Sequence, residues 1–255
     1  MGNSPTTTVD FDTIAKRYDL INAVISLGFV KLWHRRFIKL IKSNIDLTAV
    51  YGVLDVACGT GVSTKYLARL LSTASSKSVR IRAFDISKLM VEKAKKKNLQ
   101  NIDNVKVQFS IQDASLIACK DSSQDLICIS FGLRNLLDPA RSLGEFYRVL
   151  KNGKYLAILE FSQPYKIVQP FTRLYIKHIM WRLACLFGGK HSDYVYLANS
   201  VDKWYGFREL EYMGNLVGFK TVSTKRFFLG QLAVHIFKKE ITTNYAKPLK
   251  SIDSL

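Results

Sequence analysis

Acid is in short supply in this 255-residue chain: 20 Asp and Glu stand against 38 Lys and Arg, for a formal charge of +18. The imbalance says nothing about fold, but it favours polyanionic partners, either nucleic acid or the headgroups of an anionic membrane. Cysteine and histidine are scarce as well, with four of each. Cys58, Cys119, Cys128 and Cys185 make no C-x-x-C pair, and His34, His178, His191 and His235 are scattered, so metal chemistry is not expected and a reducing compartment fits. Cys58, Cys119 and Cys128 fall in or near expected core segments, where a thiol packs as a small hydrophobe. No apolar run approaches the ~18 residues of a membrane span, and no secretory segment is expected at the N-terminus. Met1-Gly2-Asn3-Ser4-Pro5-Thr6 matches the loose pattern for N-myristoylation, a match common by chance.

What is present reads as globular, with 48% apolar and 12% aromatic residues. Residues 1–10 are expected to be a disordered tail and 241–255 a second tail, with a single domain over 11–240. Ile14, Tyr18, Ile21 and Ile25 recur at helical spacing, and Trp33, Phe37 and Leu40 continue it after Gly28, which predicts helices over 11–45. The pattern then alternates. Strands are predicted at 51–56, 79–85, 105–109, 125–131 and 154–161, and helices near 62–71, 87–97 and 139–150. The connection 110–124 is looser, with room for a short helix. Asn152-Gly153 predicts a tight turn into the fifth strand. Segments 219–227 and 232–238 alternate as an antiparallel pair. The expected fold is a doubly wound α/β sheet, mostly parallel, ending in an antiparallel hairpin. Ligands of such sheets bind at the carboxyl ends of the strands, where strand order reverses.

The candidate site residues fall at those ends. Val53-Leu-Asp-Val-Ala-Cys-Gly-Thr-Gly-Val62 is a strand, a tight loop and a helix start, which lets backbone approach a nucleotide-like ligand. A dinucleotide loop would carry a third glycine at Thr64. Without it, Gly59, Thr60 and Gly61 suit a ligand lacking phosphate, and Asp55 is placed to favour a cation directly or through water. Asp85, closing the second strand, suits ribose hydroxyls. Together these indicate S-adenosylmethionine and a Rossmann-like class I methyltransferase fold. Asp113 and Ala114 follow the third strand, where a carboxylate and backbone groups can read an adenine edge. Ser130 and Gly132 offer small groups beside the cofactor after the fourth strand. Arg134 and Asn135 put a charge and an amide where an acceptor would lie, the alternative for Arg134 being an ion pair with a structural acid. The Asn/Asp-Pro-Pro-aromatic tetrad of amino-methylating nucleic-acid enzymes is absent.

Residues 161–192 stand outside the alternation, and contain Lys and Arg but no acid before Asp193. On a helix over 171–187, Ile176, Ile179, Met180, Leu183 and Phe187 make an apolar stripe opposite Arg173, Lys177, His178 and Arg182. Such a helix either lies in a membrane interface or caps the sheet as a lid, and the insertion is taken as about 162–200.

Several strings carry a family resemblance. Tyr18-Asp-Leu-Ile-Asn22, Ser26-Leu-Gly28 and Leu32-Trp33 resemble the opening of the UbiE/COQ5/MenG methyltransferases. The resemblance resumes in the glycine loop and at Asp85-Ile-Ser87. It is densest at Ile129-Ser-Phe-Gly-Leu-Arg-Asn135 and Leu159-Glu-Phe-Ser-Gln-Pro164, and it returns at Tyr194-Val-Tyr-Leu-Ala-Asn-Ser200. The resemblance implies C-methylation of a polyprenylated quinol in menaquinone or ubiquinone synthesis. It also implies a cofactor site at Thr60, Asp85, Asp113, Ala114 and Ser130, beside the Gly59 and Gly61 already read from the loop, and ring activation by Arg134 and Asn135. Val62 stands where the family has an acid, and Cys58 where it has glycine. The expected partners are the quinol and an anionic membrane, on whose cytoplasmic inner face the enzyme would sit, with no nucleic acid and with homodimerisation left open. An RNA methyltransferase and a non-catalytic lipid- or cofactor-binding subunit are the alternatives.

Overall fold

The computed structural model describes residues 28–97, 99–174, 182 and 200–240. The N-terminal helical pattern before Gly28, most of the 171–187 helix, residues 194–199 and both tails lie outside the described residues.

The first strand, β1 (Gly52–Val56), is apolar apart from Asp55 and is covered on both faces, as a central parallel strand requires. Next come α1 (Val30–Asn44), which precedes it in the chain, and α2 (Val62–Ala74), β2 (Val79–Asp85) and α3 (Lys88–Lys95). A two-residue strand β3 (Asn101–Ile102) pairs antiparallel with β4 (Val105–Ile111). Beyond them lie β5 (Gln124–Ser130), α4 (Pro139–Val149), β6 (Leu150–Phe161), α5 (Gln169–Leu174), α6 (Phe207–Val217), β7 (Phe219–Phe227) and β8 (Leu232–Lys239). The sheet runs β3-β4-β2-β1-β5-β6-β8-β7. From β1 the chain builds outward through β2 to β4, then returns to the other side of β1 with β5. Strand order therefore reverses between β1 and β5.

Alternation along the strands divides the core. Val53, Ile81 and Val107 face one side with Phe37 and Ile41 of α1 and Leu67 and Leu71 of α2. Leu54, Val56, Ile127 and Ile129 face the other with Phe146 of α4 and Leu210 of α6. Helix starts are chemically marked. The Ser87 hydroxyl accepts from Met90 N at 3.1 Å to cap α3, and Asp138 accepts from Arg141 N at 2.9 Å, with Pro139 following, to cap α4.

Two expectations are corrected, and one helix is added. Asn152-Gly153 is not a turn before the fifth strand, because β6 begins at Leu150 and runs through it. The pairing with β5 jumps from Gln124–Leu150 to Leu126–Tyr155, and Gly153, at φ +75°, supplies the left-handed residue that this bulge needs. The 110–124 connection holds no helix; Leu116 N bonds to Asp113 O in a single turn. Helix α6 was not anticipated. Its packing depends on Gly214, where an added Cβ would lie 2.7 Å from the Phe237 ring, so the bare backbone lets α6 sit against β8.

Candidate active site

Two loops meet at the switch point, and both carry left-handed backbone. After β1, Ala57, Gly59 and Gly61 have φ of 50°, 53° and 79°; after β5, Phe131 has φ 58°. Such angles in alanine and phenylalanine are uncommon and are held by the surroundings. Cys58 N donates to Phe84 O at 3.0 Å, and Gly61 N to Cys58 O at 2.9 Å. Gly132 faces Ala57 so closely that a Cβ added at 132 would lie 2.5 Å from the Ala57 Cβ. The two loops thus pack as one surface.

Asp55 was expected to favour a cation, directly or through water. It is instead buried beneath the loop, one residue before β1 ends, with no exposed surface. Its carboxylate accepts from Ser63 Oγ at 2.9 Å and Thr64 Oγ1 at 2.5 Å, which ties the start of α2 to the sheet. Burial raises its pKa to about 6, against the pull of the two hydroxyls. This also gives Thr64 a purpose where dinucleotide loops have glycine. Cys58 is buried, and burial pushes its thiol pKa well up, so it packs rather than reacts.

Asp85 is bound to the loop. Its Oδ2 accepts from Gly59 N at 2.8 Å and its Oδ1 from Ser87 N at 3.0 Å. Gln112 N donates to Asp85 O at 3.1 Å, which brings the end of β4 alongside. Ile86, next to this carboxylate, is a large exposed apolar side chain that sequence reasoning passed over. A hydroxyl acceptor, a backbone donor and a flat apolar surface side by side suit an adenosine group. Thr60 is buried, and its hydroxyl accepts from Lys97 Nζ at 2.9 Å. Asp113 is exposed and holds Ser115 N at 2.8 Å, while Ala114 is buried. Both lie along the same edge, one strand further out than Asp85. Ser130 ends β5, half-buried, beside β1.

Arg134 and Asn135 share a single-turn helix, Leu133–Asn135. Their side chains converge on Phe131 O, from Arg134 Nη1 at 2.8 Å and Asn135 Nδ2 at 3.3 Å. The same Nη1 pairs with Glu160 Oε1 at 2.8 Å. Glu160 also accepts from the backbone N of Phe161 at 2.8 Å and of Arg134 at 3.3 Å. Arg134 Nε reaches Ser200 Oγ at 3.4 Å. Among the described residues nothing bonds to Nη2. The ion pair foreseen as the alternative for Arg134 is therefore present, and Glu160 is the site residue that sequence reasoning missed. A lone acid inside the apolar run Leu156–Phe161 was its signal, since a buried charge needs a partner.

Aromatic rings enclose the pair. The guanidinium lies 4.9 Å from the Phe161 centroid. Phe131 and Phe161 are 5.2 Å apart, and Trp33 of α1 approaches both, at 5.9 and 6.4 Å. His34 sits edge-on to Phe131 and stacks on Tyr66. Its Nδ1 donates to Val30 O at 2.9 Å, and burial lowers its pKa, so the wall stays uncharged near neutrality. Among the described residues no cluster of His, Cys, Asp and Glu could hold a metal ion.

Comparison with known proteins identifies the family and the fold. The profile of the ubiE/COQ5 methyltransferase family matches residues 3–239. A demethylmenaquinone methyltransferase of Lactiplantibacillus plantarum is 36% identical over 231 residues, covering 90% of this chain and 94% of that one. A Staphylococcus aureus protein of the same name is 34% identical over 231 residues, covering 90% and 91%. Among solved structures, a SAM-dependent methyltransferase from Aquifex aeolicus superposes with a TM-score of 0.54 at 20% identity, over 79% of this chain and 88% of that one.

Proposed function

As a member of the ubiE/COQ5 methyltransferase family, the chain is an S-adenosylmethionine-dependent methyltransferase, and we propose that its acceptor is a polyprenylated quinol. Demethylmenaquinol is preferred over the corresponding benzoquinol of ubiquinone synthesis, because two relatives carrying the demethylmenaquinone name align over nine tenths of the chain. The observation that carries the reading is the guanidinium of Arg134, set in an aromatic wall of Phe131, Phe161 and Trp33. A flat apolar ring that becomes an anion fits that combination.

The bound cofactor supplies an electrophilic methyl carbon on a sulfonium. Gly59, Thr60, Gly61 and Asp85 are proposed to hold it, with Asp113, Ala114 and Ser130 completing the edge. A quinol hydroxyl would lose its proton to a water molecule, and its electron pair would pass to the adjacent ring carbon. That carbon would take the methyl group, leaving the sulfur as a neutral thioether, and would then give up its own proton to water while the ring oxygen takes one back, which restores the aromatic quinol. A guanidinium offers donors and no acceptor, so the Nη2 of Arg134 is proposed to stabilise the phenolate electrostatically. Glu160 fixes the guanidinium, and Asn135 braces the same turn through Phe131 O. The aromatic wall excludes water, which strengthens that charge interaction.

The acceptor's tail points to work at a membrane surface. Among the described residues no helix is long and apolar enough to cross one, so peripheral docking on an anionic cytoplasmic face is proposed. Purified protein given methyl-labelled cofactor and either short-tailed demethylmenaquinol or total RNA tests the reading. Label on the quinol ring supports it; label on RNA alone, or on neither, rejects it.

A further inference from the structure

The turn between β7 and β8 displays two large apolar residues in backbone conformations they normally avoid. Phe228 and Leu229 have φ of 50° and 56°, and both side chains point outward, 43% and 61% exposed. The turn is held in place from below. Arg226 donates to Gln163 O at 2.6 Å, and its guanidinium lies 4.2 Å from the Tyr165 centroid and 4.4 Å from that of Phe207. Tyr165 N donates to Leu229 O at 3.1 Å, which brings the segment carrying Tyr165 and Ile167, the latter 82% exposed, against the turn. On the other side Phe29 lies 5.8 Å from Phe228, with Leu32 one helical turn along. The outcome is one apolar patch made of Phe29, Leu32, Tyr165, Ile167, Phe228 and Leu229.

Its setting is cationic. The three segments that build it, 29–44, 161–174 and 219–239, contain five, two and five Lys and Arg and no Asp or Glu. Lys31, Arg35, Lys166 and Lys225 are exposed on these segments. Apolar tips on segments that carry basic and no acidic residues suit an interface where acyl chains lie beneath anionic headgroups. The patch also joins the proposed acceptor site, since Trp33 lies 5.8 Å from Phe228 and 5.9 Å from Phe131.

We propose that the Phe228–Leu229 turn, with Ile167 and Phe29 beside it, is the face by which this protein inserts into an anionic lipid surface. The proposal rests on the peripheral-docking reading above and names the element that performs it. Docked this way, the aromatic wall would open toward the lipid, and a tailed quinol could enter without crossing water.

The test compares wild type with the double substitution Leu229→Ser, Ile167→Ser on vesicles of phosphatidylglycerol and phosphatidylcholine, and on vesicles of phosphatidylcholine alone. Wild type should sediment with the anionic vesicles only, and binding should weaken in high salt. The double variant should bind roughly tenfold or more weakly, while methylating a short-tailed soluble quinol at the wild-type rate. Separately, Leu229→Trp should add fluorescence that brominated lipid quenches. This readout decides the matter even if the double variant folds poorly. Equal vesicle binding by the double variant, or no added quenching in the tryptophan variant, would overturn the proposal while leaving peripheral docking intact. A wild type that ignores anionic vesicles would overturn both. A dimer that dissociates in the double variant, without vesicle binding, would give the patch to a second copy of the chain and also overturn it.

Discussion

Arg134 and Glu160 form an ion pair at 2.8 Å with side chains 5% and 1% exposed. A pair this dry is poor evidence for stability, because the desolvation of both charges opposes their attraction, but breaking it from one side is costly. Arg134→Ala should destabilise the protein by about 3–5 kcal/mol, since it strands the Glu160 carboxylate. Arg134→Leu with Glu160→Leu should recover most of that loss. If Arg134 serves the reaction, the double variant should fold, bind cofactor with near-wild-type affinity and still turn over far more slowly. Urea denaturation, calorimetry and kcat on a soluble quinol check the three parts; restored turnover would make Arg134 a structural residue only.

Asp85 joins the glycine loop to the end of β2, so its loss should act twice. Asp85→Ala removes the proposed ribose acceptor and frees Gly59 N. A hydrogen bond to a charged group contributes about 1.5–3 kcal/mol, so the Kd for S-adenosylmethionine should rise roughly 10- to 150-fold or more. Isothermal titration measures it directly, and an unchanged Kd would remove Asp85 from the site.

The contact between the two loops can be tested by crowding it. Gly132→Ala would place a methyl group 2.5 Å from the Ala57 Cβ. The substitution should cost about 1–3 kcal/mol in thermal stability and weaken cofactor binding. Ala57→Gly, at a position whose φ is already +50°, should relieve it when the two are combined. Failure of the second substitution to rescue the first would mean that the loops do not depend on this contact.

Asp55 predicts a pH dependence. Its folded pKa of about 6 lies above the ordinary 3.8, so the folded state holds the proton more tightly. Its contribution to stability is full below the unfolded pKa and is lost as pH rises through about 6. The full difference is about 3 kcal/mol, of which roughly half is present at pH 5. Asp55→Asn should therefore gain stability relative to wild type between pH 5 and pH 8, by roughly 1–2 kcal/mol, in paired denaturant titrations. A gap that stays constant over that range would contradict the raised pKa.

The strands were legible because central parallel strands are buried on both faces and so read as unbroken apolar runs; β1, β2 and β5 emerge within a residue or so of the expected bounds. The hairpin was legible from its alternation, although its second strand, β8, is the one that joins the sheet, against β6. Helix α6 was hidden because Gly214 costs a helix about 1 kcal/mol relative to alanine, and the reason for accepting that cost, the Phe237 ring, is distant in sequence. The loop acids split in the same way. Asp85 was read from its place at a strand end. Burial of Asp55 depends on Ser63 and Thr64 folding back over it, and Glu160 depends on an arginine 26 residues away. Pairings over such separations leave no period in the sequence. They must be inferred from the chemistry of a charge stranded in an apolar run.

The most direct measurement is mass spectrometry of quinones from cells that lack their own quinol C-methyltransferase and express this protein. Restoration of the methylated menaquinone, lost again with Asp85→Ala, is the expected result. Continued accumulation of demethyl quinone, from protein shown to be folded and able to bind S-adenosylmethionine, would contradict the account.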